Sequence, residues 1–173
     1  ATNFNFNLDE LVSYFNDTTL LNEWQKTELA LIVAMEYYSQ NNNLIALNFL
    51  NSCCKESLIK SQDPIQLFKY GILLERNDHI KESENTIQKS IDISNGSYPS
   101  ILNYLAYLWV ENDQNLDTAE KMLVKAVDES NFQDGAILDS LGWLYFKKNK
   151  IDLAEKWITQ AYIMEPSEPE IID

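Results

Sequence analysis

Residues 135–168 read GAILDSLGWLYFKKNKIDLAEKWITQAYIMEPSE. Apolar side chains recur in this stretch at intervals of three and four residues, which is the spacing of one face of an α-helix. The polar segment 147–150 divides the stretch into two such helices. Small residues also occur at fixed intervals, because Gly142 is followed by Ala154 twelve residues later and by Ala161 after seven more. The stretch therefore predicts two helices that meet where their side chains are small.

The same ladder of small residues recurs three times upstream. The intervals are again twelve and seven, except in one copy whose turn at 112–116 holds an extra residue. Pro64, Pro99 and Pro169 each open an apolar stretch, which is typical of the first position of a helix, where the missing N–H is harmless. No stretch alternates apolar and polar residues as a strand would, so we expect an all-α chain. The upstream ladders are Gly71, Ser83 and Ser90; Ala34, Ala46 and Cys53; and Ala106, Ala119 and Ala126.

Four copies at this spacing resemble the tetratricopeptide repeat (TPR), a helix–turn–helix unit of about 34 residues. The resemblance covers residues 27–168, and the segments 103–107 and 137–143 are also similar to the C-terminal repeats of proteobacterial multi-repeat TPR proteins. The best copy matches the TPR pattern at Leu138, Leu141, Gly142, Tyr145, Ala154, Ile158, Ala161 and Pro166. The repeats are placed at 27–60, 64–97, 99–133 and 135–168.

The resemblance implies an all-α fold, a right-handed α-α superhelix (solenoid) of about four helix–turn–helix repeats with an extra N-terminal helix. Packing considerations support it independently, since two antiparallel helices approach to about 8–10 Å only where the facing residues are small. Gly142 and Ala154 supply such a pair. A helical bundle with coincident small residues is the alternative, and the occurrence of the ladder in four copies argues against it.

Two segments flank the repeats. Residues 1–26 are predicted to form an N-terminal capping helix and a lead-in to the first repeat. Leu8, Leu11, Val12 and Phe15 lie on one face of that short helix, which we expect to pack on the first repeat. Residues 169–173 resemble the start of a truncated next repeat. A solenoid without a polar final helix exposes apolar surface, so either the natural chain continues or this edge is an interface, including one for self-association.

The charge of the chain excludes several classes of partner. Asp and Glu outnumber Lys and Arg by 27 to 13, which gives a net charge of −14. Nucleic acid and anionic membranes are therefore not expected as partners. No apolar run approaches the roughly 20 residues of a membrane span. The adjacent Cys53 and Cys54 and the absence of a signal-peptide pattern favour a reducing, cytoplasmic compartment, with removal of a targeting segment as the open alternative.

Catalytic and metal chemistry find little support in the sequence. His79 is the single histidine and lies in a polar turn, and the only thiols are those of Cys53 and Cys54. A zinc site needs several ligands, and nucleophilic catalysis needs a base beside the nucleophile. There is no glycine-rich phosphate loop. We expect no enzyme activity, no metal and no cofactor, and we expect Cys53 to be a packed thiol because it stands at a ladder position.

The TPR resemblance implies a site as well as a fold. Partners of TPR proteins lie in a concave groove lined by the first helix of each repeat, and the corresponding positions here are mostly apolar or aromatic. Packing between neighbouring repeats is the alternative explanation for some of them. The predicted groove residues are Leu31, Met35, Tyr38, Phe68, Ile72, Glu75, Asn103, Tyr107, Asp139 and Trp143.

The residue types in this groove point to a class of partner. Some TPR proteins hold an acidic C-terminal peptide with a clamp of Lys, Arg and Asn, whereas Phe68, Ile72 and Tyr107 stand at those places here. An apolar, aromatic groove on an acidic body suits an apolar peptide or helix with basic flanks. The sequence thus predicts a non-enzymatic protein–protein interaction module. The alternatives are a secretion-type chaperone for a hydrophobic client and a structural segment of a longer TPR scaffold.

Overall fold

A computed structural model describes residues 8, 12, 13, 15 and 21–164 of the chain. All regular secondary structure in these residues is helical, which confirms the all-α prediction. None of the described helices is long and apolar enough to cross a membrane. The helices are α1 (Glu23–Ser39), α2 (Asn43–Cys53), α3 (Lys55–Lys60), α4 (Pro64–Glu75), α5 (Ile80–Ser94), α6 (Pro99–Glu111), α7 (Leu116–Glu129), α8 (Gly135–Lys147) and α9 (Ile151–Met164).

Local sequence explains where several helices begin. Asn22 and Gln25 form a capping box at the start of α1, in which each side chain accepts a hydrogen bond from the other residue's backbone N–H. The Asp63 side chain caps α4 by accepting hydrogen bonds from the backbone N–H groups of Ile65 and Gln66, and Pro64 follows it at the first helical position. Pro99 opens α6 as predicted. The third predicted start, Pro169, lies outside the described residues.

The turns between the paired helices depend on residues that accept a left-handed backbone. Asn41 follows α1 with φ 60°, and Asp78 follows α4 with φ 63°. Asn and Asp adopt this region more readily than other non-glycine residues because their short polar side chains bond to the local backbone. Asp113 and Asn149 take the same conformation in the turns after α6 and α8. The Asn- and Asp-rich segments of the sequence are therefore turns.

The chain divides into two compact units, of which the N-terminal one comprises Ala1–Ile93. Its core lies between α1, α2, α3 and α4 and includes Leu31, Leu50, Leu58 and Tyr70. The ladder residues bring α4 and α5 together, because Ser83 Oγ donates a hydrogen bond to the Gly71 carbonyl over 2.7 Å. Phe15, from the predicted cap, meets Phe49 edge-on with ring centroids 5.2 Å apart.

One predicted ladder position in this unit is wrong. Cys53 was expected to be packed, but it is exposed, and the adjacent Cys54 is the buried thiol. The cause is a break in the helix: Cys54 has φ −140° and separates α2 from α3, so the second helix of this repeat is not continuous to Lys60. The break places Cys54 in the core cluster with Leu58.

The C-terminal unit comprises Ser94–Asp173, of which the described part ends at Met164. In this unit α8 packs against both α6 and α7, and α9 packs against α8. The close approach of α8 and α9 requires a glycine, since a Cβ on Gly142 would lie 2.6 Å from Ile158 Cγ1 and 3.1 Å from the Ile158 nitrogen. The pairing of Gly142 with the helix that carries Ala154 is thus as predicted. Leu11 and residues 165–173 lie outside the described part, and the predicted domain limits at 1–26, 27–168 and 169–173 remain predictions.

Candidate functional site

A stripe of aromatic and acidic side chains runs along α6 and α8 in the C-terminal unit. Asn103, Tyr107 and Glu111 follow one another at intervals of four residues on α6, and Asp139 and Trp143 do so on α8. Residues four apart lie on the same face of a helix. Because α6 and α8 pack against each other, the two stripes belong to neighbouring helices. We call these five residues the α6–α8 surface.

A hydrogen bond joins the two stripes. The Trp143 Nε1 donates to Glu111 Oε1 over 2.6 Å, and both residues retain contact with solvent. The charge of the Glu111 carboxylate also acts on Tyr107, one turn earlier on the same helix, and raises the pKa of its hydroxyl. A negative charge is therefore held between two aromatic side chains that come from different repeats.

The Trp143 ring is fixed by further contacts on α8. It stacks on Phe146 with ring centroids 5.2 Å apart and an interplanar angle of 13°. Lys147 Nζ lies 5.5 Å from the centroid of the same ring and 3.0 Å from Asp113 Oδ1. Such contacts favour one orientation of the indole and show that a cation fits beside it.

The electrostatics of this surface favour a positive ligand. Partial burial raises the pKa of Tyr107, and the negative charges of Glu111 and Asp139 raise it further. Neighbouring groups shield the Asp139 carboxyl even though the residue as a whole is exposed, and this burial raises its pKa. A cation placed beside these groups would oppose both shifts and stabilise the ionised carboxylates.

Asn103 completes the surface at the start of the α6 stripe. Its side-chain oxygen Oδ1 is buried, and among the described residues no donor reaches it. Within residues 21–164, this amide acceptor one turn before Tyr107 is therefore left without a hydrogen-bond donor.

The remaining predicted groove residues lie in the N-terminal unit, on α1 and α4, which pack against each other. Met35, Phe68 and Ile72 are half-buried, and Tyr38 packs on the core cluster. The Glu75 carboxylate pairs with the adjacent Arg76 at 3.3 Å, so part of its charge is neutralised.

The prediction that Leu31 lines the groove is wrong. Its side chain is 0 % exposed and belongs to the core cluster, together with Ala30 and Ala34 of the same helix. A ligand in a groove cannot contact a side chain in that position. Leu31 lies four residues before Met35, and this spacing predicts that both side chains face the groove. In the structure, all the buried residues of α1 lie between Thr27 and Ala34, and Leu31 is one of them.

Three residues of the site were missed from the sequence. Glu111 bonds to Trp143, Phe146 stacks on it, and Lys147 lies over its ring. The signal for Glu111 and Lys147 was available, because each lies four residues after a predicted groove residue on the same helix. In the part of the chain that the structure describes, no group of three or more His, Cys, Asp or Glu side chains could hold a metal ion.

Known structures confirm the predicted type of fold. No sequence family matches the chain, and neither does any curated protein sequence. A crystal structure of MamA is similar over 95% of this chain and 90% of its own, with a TM-score of 0.70 and 15% identity. A Podosopora anserina protein assigned as a kinesin light chain, with nearly identical TPR-like repeats, is similar over 95% of this chain and 88% of its own, with a TM-score of 0.69 and 14% identity. The fold is therefore that of TPR-like helical repeats.

Proposed function

We propose that this protein is a non-enzymatic protein–protein interaction module and that the α6–α8 surface is a principal contact site for its partner. The partner segment is an apolar peptide or helix that carries Lys or Arg beside its apolar residues. Met35, Tyr38, Phe68, Ile72 and Glu75 of the N-terminal unit are proposed as further contacts.

The observation that carries the proposal is the bond between Trp143 Nε1 and Glu111 Oε1 at 2.6 Å. It fixes an indole and a carboxylate side by side before any ligand binds. Preorganised aromatic side chains contribute much of the binding energy at protein interfaces because little entropy is lost when they are covered. A carboxylate within the same patch adds a preference for a basic residue.

The charge of the C-terminal part supports the same class of partner. Residues 99–173 carry 14 acidic and 6 basic side chains. A basic segment would therefore be attracted over a longer range than direct contact, and its association would be faster at low salt. Lys147 over the Trp143 ring is an internal example of the cation–aromatic contact that the partner would make.

The proposal can be tested with a peptide library that has one apolar core and basic, neutral or acidic flanks. The wild-type chain should enrich the basic-flanked members. Trp143→Ala and Tyr107→Ala should each weaken their binding by about tenfold or more, as expected for aromatic residues at the centre of an interface. Circular dichroism should show unchanged helix content in both variants. Trp24→Ala is the matched control, since Trp24 is exposed on α1 and outside the proposed surface.

Glu111→Gln separates charge from geometry. The glutamine oxygen can still accept the Trp143 hydrogen bond, whereas the negative charge is lost. We expect Glu111→Gln to reduce the preference for basic flanks by a few-fold and to leave binding of the apolar core in place. Equal enrichment of acidic and basic peptides by the wild-type chain, or unchanged binding by Trp143→Ala, would show that the surface is not the site.

A further inference from the structure

A second surface of the C-terminal unit lies at the described end of the repeats. It consists of Phe146 on α8 and of Asp152, Glu155, Ile158 and Tyr162 on α9, and we call it the terminal face. All five residues are exposed. Three of them are large apolar side chains, which is unusual on a solvated surface when they belong to one patch.

The preceding repeat shows what covers the equivalent positions. Residues of α8 correspond to those of α6 at an offset of 36, and residues of α9 correspond to those of α7 at an offset of 35. Val110, Leu123 and Val127 are 0, 0 and 2 % exposed, whereas their counterparts Phe146, Ile158 and Tyr162 are 51, 41 and 61 % exposed. The difference follows from packing, because α8 lies on α6 and α7 and no described helix lies in the same way on α8 and α9.

The polar anchors of that packing recur as well. Lys148, which follows α8, reaches Asp117 at 2.6 Å and Glu120 at 2.5 Å on α7. At the offset of 35, Asp117 corresponds to Asp152 and Glu120 to Glu155. The apolar patch and the pair of carboxylates that receive α8 are thus both repeated on the terminal face.

We propose that the terminal face binds a further amphipathic helix that carries Lys or Arg near its C-terminal end, in the register in which α8 lies on α6 and α7. The basic residue pairs with Asp152 and Glu155 as Lys148 pairs with Asp117 and Glu120. Because Phe146 is larger than its counterpart, the bound helix carries small side chains where they meet. This interaction differs from the proposed peptide binding at the α6–α8 surface, and the two surfaces adjoin at Phe146, which stacks on Trp143.

Charge complementarity favours such a helix over a second copy of this chain. Two copies meeting through their terminal faces would place Asp152 and Glu155 of each against the other, on chains that each have a net charge of −14. Like charges at an interface oppose association, whereas a lysine or arginine at the C-terminal end of a helix also interacts favourably with the helix dipole.

The test uses two labelled peptides and the full chain. One peptide copies residues 134–150, which include α8 and Lys148, and the other carries Ile137→Ala and Leu144→Ala to provide smaller side chains. Fluorescence anisotropy should show saturable binding of at least one peptide. Asp152→Lys with Glu155→Lys in the protein should weaken it about tenfold, the effect expected when two ion pairs become repulsive. A Lys148→Glu peptide should regain affinity for that charge-reversed protein.

A matched control reverses two other carboxylates of the same unit, Asp128→Lys with Glu129→Lys, which are exposed at the end of α7. This control should bind the original peptide nearly as well as wild type.

The proposal is overturned if neither peptide binds at about 1 mM, or if the two charge reversals have equal effects. It is also overturned if sedimentation velocity shows a dimer that Tyr162→Glu abolishes, or if only a chain shortened to Met164 binds the peptides. Those last outcomes would assign the face to a second copy or to residues 165–173.

Discussion

A Cβ atom added to Gly142 would lie 2.6 Å from Cγ1 of Ile158, so α8 and α9 are in contact at a point where a side chain would not fit. The nearest backbone atoms are the Ile158 nitrogen at 3.1 Å and the Ala154 oxygen at 3.3 Å. The ladder of small residues in the sequence therefore marks the places where the paired helices cross.

Gly142→Ala should destabilise the protein by about 1–3 kcal/mol. The added methyl group forces the helices apart, and the free-energy cost of that displacement is larger than the gain in helix propensity. Urea unfolding followed by circular dichroism measures the effect. Gly71→Ala is the matched control, since a methyl group there would approach the Ile87 side chain closely but lie 3.7 Å from its backbone nitrogen. An equal or smaller loss for Gly142→Ala would contradict the crossing geometry.

The second ladder pair depends on a hydrogen bond as well as on size. Ser83 is buried, and its hydroxyl donates to the Gly71 carbonyl. Ser83→Ala should fit sterically, since alanine occupies the equivalent position in the other repeats, and should cost about 1 kcal/mol for the lost hydrogen bond. Ser52→Ala, which removes an exposed local bond to Phe49, should change stability by less than about 0.5 kcal/mol. Equal effects of the two changes would refute this role of Ser83.

Tyr70 should make the fold sensitive to alkali. Burial and the nearby charge of Glu82 raise its pKa to about 12, and its hydroxyl donates to Asn51 Oδ1 at 2.9 Å. Unfolded tyrosine ionises near pH 10, so the folded protein binds the proton more tightly and its stability falls as the pH rises from about 10 to about 12. The loss from this group is on the order of 2 kcal/mol.

Unfolding free energies of the wild type and of Tyr70→Phe, measured at several pH values between 9 and 12, isolate this contribution, because lysines titrate equally in both. Tyr70→Phe should be less stable at pH 9 and should lose less stability above pH 10. Parallel pH profiles would show that Tyr70 does not resist ionisation.

Lys148 should link the two repeats of the C-terminal unit electrostatically. Its ammonium group lowers the pKa of both Asp117 and Glu120. The stability that these pairs provide is present above the ordinary carboxyl pKa of about 4 and is lost as the pH falls through the lowered values. Lys148→Met should therefore reduce stability at pH 7 and flatten the acid side of the stability profile.

Lys60→Met is the control for Lys148→Met, since Lys60 makes one exposed pair with Glu56 on the same helix. The difference between the two variants should shrink at about 1 M salt, where exposed charges are screened. A Lys148→Met protein with a wild-type acid profile would show that these ion pairs do not stabilise the fold.

The helix crossings and the turns could be predicted from the sequence because each depends on residues close together in the chain. Small residues such as Gly142 and Ser83 recur at fixed intervals because the paired helices approach closely where they cross. Asn41 and Asp78 mark turns because the backbone is left-handed at both positions. These are local requirements that a single sequence displays directly.

The failures concern burial, which depends on the whole structure. Cys53 stands at a ladder position but is exposed, because the helix breaks at Cys54. Leu31 has the spacing of a groove residue but lies in the core. The four-residue spacing from Tyr107 places Glu111 on the groove face, but no spacing within α6 reveals its bond to Trp143 on another repeat.

The bonded pair Trp143 and Glu111 is proposed to form part of a binding surface for a basic, apolar segment. A calorimetric titration of the best library peptide into wild type, Trp143→Ala and Glu111→Gln at low and high salt tests this role. We expect tenfold or greater weakening for Trp143→Ala at both salt concentrations, and a few-fold weakening for Glu111→Gln that disappears at high salt. Identical affinities for all three proteins would show that the pair does not contribute to binding.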